Sequence, residues 1–338
     1  MRVGIALASI AAMSMVVVAG CGGDSSDDAE GPITVYSGRE EEMVAPLYKQ
    51  FQDETGIELD IRYGNTPELA AQIAEEGDNS PADVFVAQDA GSLGSIEDRF
   101  TTIPQESLDR VDEQFRGADG NWVGLSGRVR VVSFSSAKYK ADQLPDTVLE
   151  YAKPQYASKM GIAPTNGSFV AFISGMRLQL GDDTTKTFLA DLKKNGVKTF
   201  DGNRVIVEAI ADGDIDFGLV NHYYLAVLRT EKPDVKVENK FMKAGDPGGL
   251  VNVTGAGILS SSDNTAAAER FVEFLLSDAG QEFYAKDART EYPLATGVAA
   301  AEGLPPLEDQ LGGDIKLSDL ADKAASSAEM ISAAGLGE

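Results

Sequence analysis

Residues 33–63 read ITVYSGREEEMVAPLYKQFQDETGIELDIRY, and this stretch decides the fold class. Its first four residues are β-branched or aromatic, which predicts a strand that ends near Gly38. Over residues 40–55 the apolar side chains recur at helical spacing, and Pro46 predicts a kink or a late start of that helix. Apolar residues then alternate over 57–61, which predicts a second strand.

The same alternation of strand and helix continues along the chain. A helix over 67–76 and a buried strand over 81–86 complete a βαβαβ order, which predicts a parallel sheet covered by helices. A second α/β set follows, with strands at 129–134, 215–220 and 249–259, helices around 188–192, 205–210 and 265–285, and a helical, acidic segment after Pro306. We therefore predict an α/β protein of two lobes, each a mostly parallel sheet flanked by helices.

The composition excludes several classes of function. The chain has 338 residues, with 29 Lys and Arg against 54 Asp and Glu, a net charge of −25. This excess argues against a nucleic-acid-binding or anionic membrane-surface protein, because phosphate contacts need basic side chains. One His excludes clustered-histidine metal sites, and one Cys excludes an intrachain disulfide and any CxxC motif.

Residues 1–20 are predicted to be a secretory signal peptide, since the uncharged run 3–20 follows Arg2 and ends in small residues. The sequence VAGC at 18–21 resembles the bacterial lipoprotein signal, in which the cysteine is lipidated. Residues 21–32 are typical of a flexible acidic tether. An ordinary signal peptide is the alternative. We expect an exported protein that Cys21 anchors by lipid to the outer face of the cell membrane.

Two adjacent tyrosines carry the chemistry. Tyr223 and Tyr224 follow the strand predicted over 215–220, and in a turn or helix start both phenols can lean into one cleft. A phenol titrates near pH 10, so a hard, highly charged cation is needed to deprotonate it, and phenolate suits ferric iron. The alternative is that both are packing aromatics at the start of a helix.

Several segments together resemble the bacterial ferric-ion-binding proteins of iron ABC transporters, which are two-lobed periplasmic binding proteins of the type II-like class. The resemblance covers nearly all of residues 33–338, and the order and spacing of its parts are specific. The segments are ITVYSGR at 33–39, TGI at 55–57, EEGD at 75–78, PADVF at 81–85, LSGRVRVV at 125–132, NHYY at 221–224 and EYPL at 291–294.

The resemblance implies that ferric iron is bound between the lobes, with Tyr223 and Tyr224 as phenolate ligands. Similar proteins add a His and a Glu from the first lobe, and here those positions hold Glu40 and Gln88. Glu40 keeps an oxygen ligand, whereas Gln88 is a weak neutral one. Glu40 has the alternative role of a carboxylate that the helix dipole favours, and Asp89 is either a ligand or a turn cap.

The resemblance also implies a small synergistic anion that completes the iron shell. In one subgroup this anion is phosphate, and the matching positions here are Asn166, Gly167, Ser168, Asn203 and Asn221. A carbonate-binding subgroup uses an Arg that matches Arg128, with a third Tyr near the turn. No Tyr stands between 165 and 169, which favours phosphate. The alternatives are a plain N-cap turn at 166–168 and a hinge ion pair for Arg128.

We expect a first lobe of 33–128 plus 255–303 and a second lobe of 129–254 plus 304–338. Two hinge strands would cross between them, near Arg128-Val129 and Thr254-Gly255. His222 is expected to face solvent or to support the site from behind. Trp122 is expected to pack near the lobe boundary.

The predicted function is capture of ferric iron and delivery to an ABC permease, by a monomer that catalyses no reaction. One alternative is the same fold binding a phosphonate, an organic phosphate or thiamine. A remote alternative is an exported acidic hydrolase that uses Glu40 with Asp89. No nucleophile motif such as GxSxG supports a hydrolase.

Overall fold

The computed structural model describes residues 31–286, 290–311 and 315–337. The predicted signal peptide and Cys21 lie outside these residues. The helices are α1 Glu41–Thr55, α2 Thr66–Glu76, α3 Ala90–Gly94, α4 Gln105–Leu108, α5 Pro154–Ala157, α6 Gly167–Lys194, α7 Asn203–Asp212, α8 Tyr223–Glu231, α9 Thr265–Leu276, α10 Asp278–Lys286 and α11 Asp319–Ala333. The strands are β1 Ile33–Ser37, β2 Leu59–Tyr63, β3 Val84–Ala87, β4 Trp122–Ser135, β5 Met160–Ile162, β6 Lys198–Thr199, β7 Phe217–Asn221, β8 Val237–Lys240, β9 Val251–Ile258 and β10 Tyr292–Pro293.

The first lobe has the βαβαβ order that the opening sequence predicts. Strand β1 pairs in parallel with both β2 and β3. Helix α1 buries its apolar stripe, which comprises Met43, Val44, Leu47, Tyr48 and Phe51. This helix begins at Glu41 and continues through Pro46, so the predicted late start is wrong.

Strand β4 is the element that the two lobes share. All fourteen of its residues are buried. From Trp122 to Val129 it pairs with β9, which in turn pairs with β3 of the first lobe. From Arg130 onward it pairs with β7 and β8 of the second lobe. The backbone hydrogen bonds therefore pass from one lobe to the other within one strand, and Trp122 packs in the first-lobe core.

The second lobe repeats the parallel arrangement. Strand β5 pairs in parallel with β6 and with β7, so the carboxyl ends of these strands lie at one edge of the sheet. Helices α6, α7 and α8 all begin near that edge, at Gly167, Asn203 and Tyr223. Ligands of open α/β sheets bind at such edges, where helix N-termini meet the ends of strands.

The long helix predicted over 265–285 is divided in the structure. Helix α9 ends at Leu276 and α10 begins at Asp278. Ser277 between them is extended, and its hydroxyl donates to the carbonyl of Phe274 at 2.6 Å while accepting from the amide of Gly280 at 3.2 Å. This side chain satisfies helix-end groups that a continuous helix would pair, so the prediction of one helix is wrong. Within the described residues, no helix combines the length and apolar composition needed to cross a membrane.

The C-terminal helix α11 contacts both lobes. Ser327 in this helix bonds Ser174 of α6 at 3.0 Å and accepts from the buried Arg177 at 3.0 Å. At its other end, Ala321 packs so tightly on Gly94 of α3 that a Cβ on Gly94 would lie 3.2 Å from the methyl group of Ala321. Helix α11 is therefore hydrogen-bonded to the second lobe and makes close van der Waals contact with the first lobe.

A buried ion pair lies where the lobes meet. The Arg39 guanidinium donates to Glu291 at 2.6 Å, and both side chains are almost fully buried. Thr254 accepts from Arg39 at 2.8 Å, and Ser126 donates to the second oxygen of Glu291. Burial opposes ionisation of Glu291, but Arg39 and Arg128 outweigh it and lower the pKa of this carboxyl below its usual range.

We expect Glu291→Gln to lower the free energy of unfolding by about 3–5 kcal/mol, because Arg39 is left as an uncompensated buried charge. The full difference in the free energy of unfolding between the wild type and this variant should be seen at pH 7. Since the folded pKa is depressed, the contribution should disappear as the pH falls below the ordinary carboxyl value of about 4.3. Urea denaturation at several pH values measures it.

Asp53→Asn is the matched control, since it breaks the exposed pair between Lys49 and Asp53. Exposed pairs contribute little, so this variant should unfold as the wild type does. Equal stability of the wild type and Glu291→Gln at pH 7 would contradict the role given to the buried pair.

Candidate metal and anion site

A cleft of about 970 Å³ lies between the carboxyl edges of the two sheets. Its walls come from both lobes and from α11. The predicted site residues that line it are Glu40, Gln88, Arg128, Asn166, Gly167, Ser168, Asn221 and Tyr224, and Asp89 lines it as well. Tyr223 and Asn203 lie behind this surface, in contact with residues that form it. The structure therefore brings the predicted residues of both lobes to one place.

The tandem tyrosines occupy the start of α8, directly after β7. Their rings stack with centroids 4.4 Å apart and an interplanar angle of 28°. Tyr223 is only 1% exposed, whereas Tyr224 is half-buried and faces the cleft. A strand would have sent the two side chains to opposite faces, so the helical start is what keeps both phenols together.

The environment of Tyr224 keeps its phenol neutral. Burial raises the pKa of Tyr224 far above the ordinary value of 10, and its neighbour Tyr223 raises it further by charge and by a hydrogen bond between the side chains. The Glu40 carboxylate also raises this pKa, whereas Arg128 lowers it. Tyr224 and Glu40 line the same cleft and Tyr223 stacks on Tyr224, so a cation bound there by these oxygens would reverse the preference for the neutral phenol.

The first-lobe donors stand at the ends of β1 and β3. Glu40 occupies the N-cap position of α1 without bonding that helix through its side chain, and it is exposed to the cleft. Gln88 follows β3, and its backbone amide donates to Thr66 at 3.3 Å. Asp89 caps α3, since its carboxylate accepts from the amide of Ser92 at 2.8 Å. Of the two alternatives for Asp89, the structure contains the cap.

Among the described residues, carboxylate and imidazole side chains do not form a metal-binding site on their own. Within the described ranges, no group of three or more His, Cys, Asp or Glu side chains is placed to hold a metal ion. The oxygen donors that line the cleft include the Tyr224 phenol and the Glu40 carboxylate, both of them hard ligands, and Tyr223 stacks directly behind Tyr224.

The turn predicted to hold an anion forms the start of α6. The Asn166 side chain caps this helix by accepting from the amide of Ser168 at 3.0 Å, so the alternative of an N-cap turn is present. Gly167 lines the cleft, and a Cβ there would meet no atom within 4 Å. The surface at Gly167 is thus open to a ligand, whereas the Ser168 amide is bonded to Asn166, and helix N-termini favour anions.

Arg130 lies behind this turn, and the sequence analysis missed it. One of its terminal nitrogens donates to Ser168 at 3.0 Å, to Asn203 at 3.3 Å and to Asn221 at 3.4 Å. The other donates to the carbonyl of Leu219 at 2.9 Å. One guanidinium therefore joins the starts of α6 and α7 to the end of β7, just before α8.

The guanidinium also fixes which way the asparagine amides point. Arginine has no acceptor, so the side-chain oxygens of Asn203 and Asn221 must face Arg130. Their amide nitrogens then point away from it, and Asn221 borders the cleft. Asn221 is consequently oriented to offer an N–H donor, which is the chemistry that an oxyanion needs, whereas the amide nitrogen of Asn203 donates to Asn166 and Ser168.

The positive charge of Arg130 has no carboxylate partner. Arg130 is 3% exposed, and no Asp or Glu of the described residues forms a salt bridge with it. Burial lowers the pKa of Arg130 to about 9, against the electrostatic effect of the two tyrosines, so it stays charged at neutral pH. Arg128, which bonds Thr254 at 3.3 Å, adds a second charge at the cleft wall. A bound anion or phenolate would complement both charges.

Comparisons with known proteins place the chain in a family. Residues 79–310 match the family described as bacterial extracellular solute-binding protein. The "Major ferric iron-binding protein" of Neisseria meningitidis is 34% identical over 281 residues, which cover 81% of this chain and 84% of that protein. The "Fe(3+)-binding periplasmic protein" of Serratia marcescens is 29% identical over 332 residues, or 97% of this chain and 96% of the relative.

The chain belongs to the bacterial extracellular solute-binding proteins. Among solved structures, iron-bound HitA from Pseudomonas aeruginosa has a TM-score of 0.85 at 29% identity, over 91% of this chain and all of that one. The predicted resemblance to ferric-ion-binding proteins and the two-lobed α/β fold are both confirmed.

The alternation of side chains along a strand of this solute-binding protein could have identified Arg130 as a buried functional residue. Arg128 and Arg130 are two residues apart in a strand, so their side chains share a face. A run of valines surrounds them, and an arginine in such a run needs a buried partner or a ligand. Of the two alternatives for His222, exposure to solvent is wrong, because this residue is 2% exposed.

We expect Tyr224 to contribute no phenolate absorbance at pH 10, where an ordinary tyrosine is half ionised. The ultraviolet phenolate band of the metal-free protein should then be the same for the wild type and Tyr224→Phe. Unfolded in denaturant at the same pH, the variant should lack the signal of one of the ten tyrosines. A difference of that size in the folded proteins would contradict the described environment.

Proposed function

We propose that this protein captures ferric iron in the interlobe cleft and delivers it to a membrane permease. The observation that carries the proposal is the stacked pair Tyr223 and Tyr224, because Tyr224 lines the same interlobe cleft as Glu40. Relatives that are named for ferric iron binding support it. The solute is cargo, so the proposed function needs no catalysed reaction.

The donor chemistry favours Fe³⁺ over softer ions. Phenolate and carboxylate oxygens are hard ligands, and iron is bound by Tyr in catalase. We infer that Tyr223 and Tyr224 bind as phenolates from the second lobe and that Glu40 adds a carboxylate from the first. Gln88 then supplies a neutral oxygen or a hydrogen bond to the bound group. Binding through both lobes closes the cleft, as in hinged binding proteins generally.

We infer that a synergistic anion completes the iron shell and that phosphate fits better than carbonate. Its proposed donors are the Gly167 amide and the side chains of Asn166, Asn203 and Asn221, together with the Ser168 amide and hydroxyl, which would exchange their present bonds to Asn166 for bonds to the anion. Arg130 supports the proposal because it turns two of these amides toward donation and brings an uncompensated positive charge. Arg128 is the proposed second contact at the cleft wall.

The setting of the protein in the cell is also proposed. The signal peptide 1–20 would direct export, lipidated Cys21 would anchor the mature chain to the outer face of the cell membrane, and 21–32 would tether it. We expect a monomer whose lobes, 33–128 plus 255–303 and 129–254 plus 304–338, close on iron and open on an ABC permease. Membership of the extracellular solute-binding family supports this arrangement.

We expect the mature, metal-free protein to develop a ferric–phenolate charge-transfer colour that saturates at one iron per chain. The titrant is a weakly chelated ferric salt, and visible absorbance is the readout. Tyr223→Phe with Tyr224→Phe should abolish the colour, because no phenolate remains. Tyr156→Phe is the matched control, since this second-lobe ring packs on Tyr151 and Phe217 away from the cleft. An uncoloured wild type, or a coloured double variant, would contradict the proposal.

We expect phosphate to strengthen iron binding to the wild type more than carbonate does. Arg130→Gln should lose most of that phosphate effect while keeping the charge-transfer colour, because the tyrosines remain. Arg229→Gln, which removes an arginine bonded to the carbonyl of Val237, should keep the phosphate effect. Iron affinity measured by competition with a chelator, with and without each anion, decides the matter. An unchanged phosphate effect in Arg130→Gln would refute the anion site.

A further inference from the structure

His222 is the single histidine of the sequence, and it is 2% exposed. It is the residue directly before Tyr223, at the point where β7 ends and α8 begins. Neither of its ring nitrogens faces the cleft, because both are engaged in hydrogen bonds elsewhere. The residue is therefore not a free donor to the site, and its role must lie in what those bonds hold.

The first bond continues the sheet beyond its last backbone pair. The amide of His222 donates to the carbonyl of Val129 at 3.0 Å, and the amide of Val129 donates to Nδ1 of His222 at 3.1 Å. Two residues that exchange both bonds resemble a hydrogen-bonded pair of an antiparallel ladder, with the ring nitrogen in place of a carbonyl oxygen. The chain can thus turn into α8 while staying bonded to β4 at the crossing between lobes.

The second bond reaches toward the first lobe. Nε2 of His222 lies 2.9 Å from the carbonyl oxygen of Thr290. A backbone amide can only donate and a carbonyl can only accept, so Nδ1 is the acceptor and Nε2 carries the proton. Both ring nitrogens are satisfied by the neutral ring, and burial lowers the pKa of His222, which favours the same neutral form.

Thr290 connects this bond to the first-lobe donor. It precedes Glu291, which forms the buried pair with Arg39, and Arg39 precedes Glu40. A continuous path of peptide bonds and hydrogen bonds therefore runs behind the cleft from Glu40 to His222. Thr290 has a φ of 61°, which is uncommon for a residue with a Cβ and is held here by its surroundings.

The imidazole also packs against the tyrosine it precedes. The rings of His222 and Tyr223 meet edge to face with centroids 5.9 Å apart, and Tyr292 of β10 lies 5.1 Å away on the first-lobe side. Tyr223 in turn stacks on Tyr224. The position of the imidazole thus determines where both phenols stand relative to the hinge.

We propose that His222 is a positioning residue: it joins the start of the tyrosine helix to the hinge strand through Val129 and to the first lobe through Thr290, and so sets the geometry of both phenols for metal binding. This inference rests on the proposed function. It assigns no contact between His222 and the metal. Hydrogen-bonding supports of this kind typically change metal affinity by about 10- to 100-fold when removed.

The experiment compares three substitutions by ferric titration, visible spectrum and thermal unfolding. His222→Ala removes both bonds and should weaken iron binding by about tenfold or more, with a shifted charge-transfer band. His222→Asn retains an acceptor near Nδ1 for Val129, so it should recover most of the affinity and the band. His222→Gln can reach Thr290 but not Val129, so it should recover less.

Asp246→Ala is the matched control, since it removes a buried carboxylate that accepts from the amides of Val148 and Gly248 away from the cleft. It should lower thermal stability while leaving iron affinity and the spectrum unchanged. Wild-type affinity and spectrum in His222→Ala would overturn the inference, as would equal iron losses in His222→Ala and Asp246→Ala.

If His222→Ala does not fold, the order of the other two variants decides, and tighter binding by His222→Gln than by His222→Asn overturns the inference. A coloured wild type with an unaffected His222→Ala refutes this inference alone. A colourless wild type refutes the proposed function and this inference with it.

Discussion

The site depends on one strand that both lobes share. Because β4 gives its hydrogen bonds to β9 up to Val129 and to β7 and β8 from Arg130, the two lobes meet within a single run of backbone. Arg128 and Arg130 leave the same face of this strand on either side of the crossing. Strand β9, the second expected crossing, is bonded to the same stretch of β4. The crossing between the lobes and this wall of the cleft are therefore built from the same strand.

Charge gives a reason why the proposed cation and anion would suit the cleft together. Without a ligand, the Tyr224 phenol remains neutral while Arg130 remains charged, and Arg130 has no carboxylate partner among the described residues. A trivalent cation alone would be repelled by it, and an anion alone would leave the phenols protonated. In the proposed complex a ferric ion with an oxyanion would satisfy both requirements, because the ion would deprotonate the phenols and the anion would face the arginines. The acidic side chains on the protein surface are not part of this arrangement of charges in the cleft.

Much of the fold could be predicted because its signals are local. Helical spacing identified α1, and its five apolar positions are all buried. The order of elements predicted parallel sheets, and the step from β7 into α8 placed both tyrosines at a helix start. The break at Ser277 was missed, because one serine that pairs with helix ends leaves no trace in apolar periodicity.

The support of the site could not be predicted in the same way. Arg130 acts through residues 38, 73 and 91 positions away, and His222 through residues 93 and 68 positions away. These long-range contacts depend on how distant strands pair, and that register cannot be predicted from a single sequence. The resemblance to ferric-ion-binding proteins named the tyrosines and the anion turn, while the groups that orient them became visible only in three dimensions.

The most direct measurement is anomalous diffraction at the iron absorption edge from crystals of the iron-loaded mature protein grown with phosphate. The account predicts one anomalous peak per chain, at bonding distance from the hydroxyl oxygens of Tyr223 and Tyr224 and on the first-lobe side from Glu40. A tetrahedral anion should lie between that peak and the Gly167-Ser168 amides. A peak elsewhere in the molecule, or one bound by neither phenol, would contradict the account.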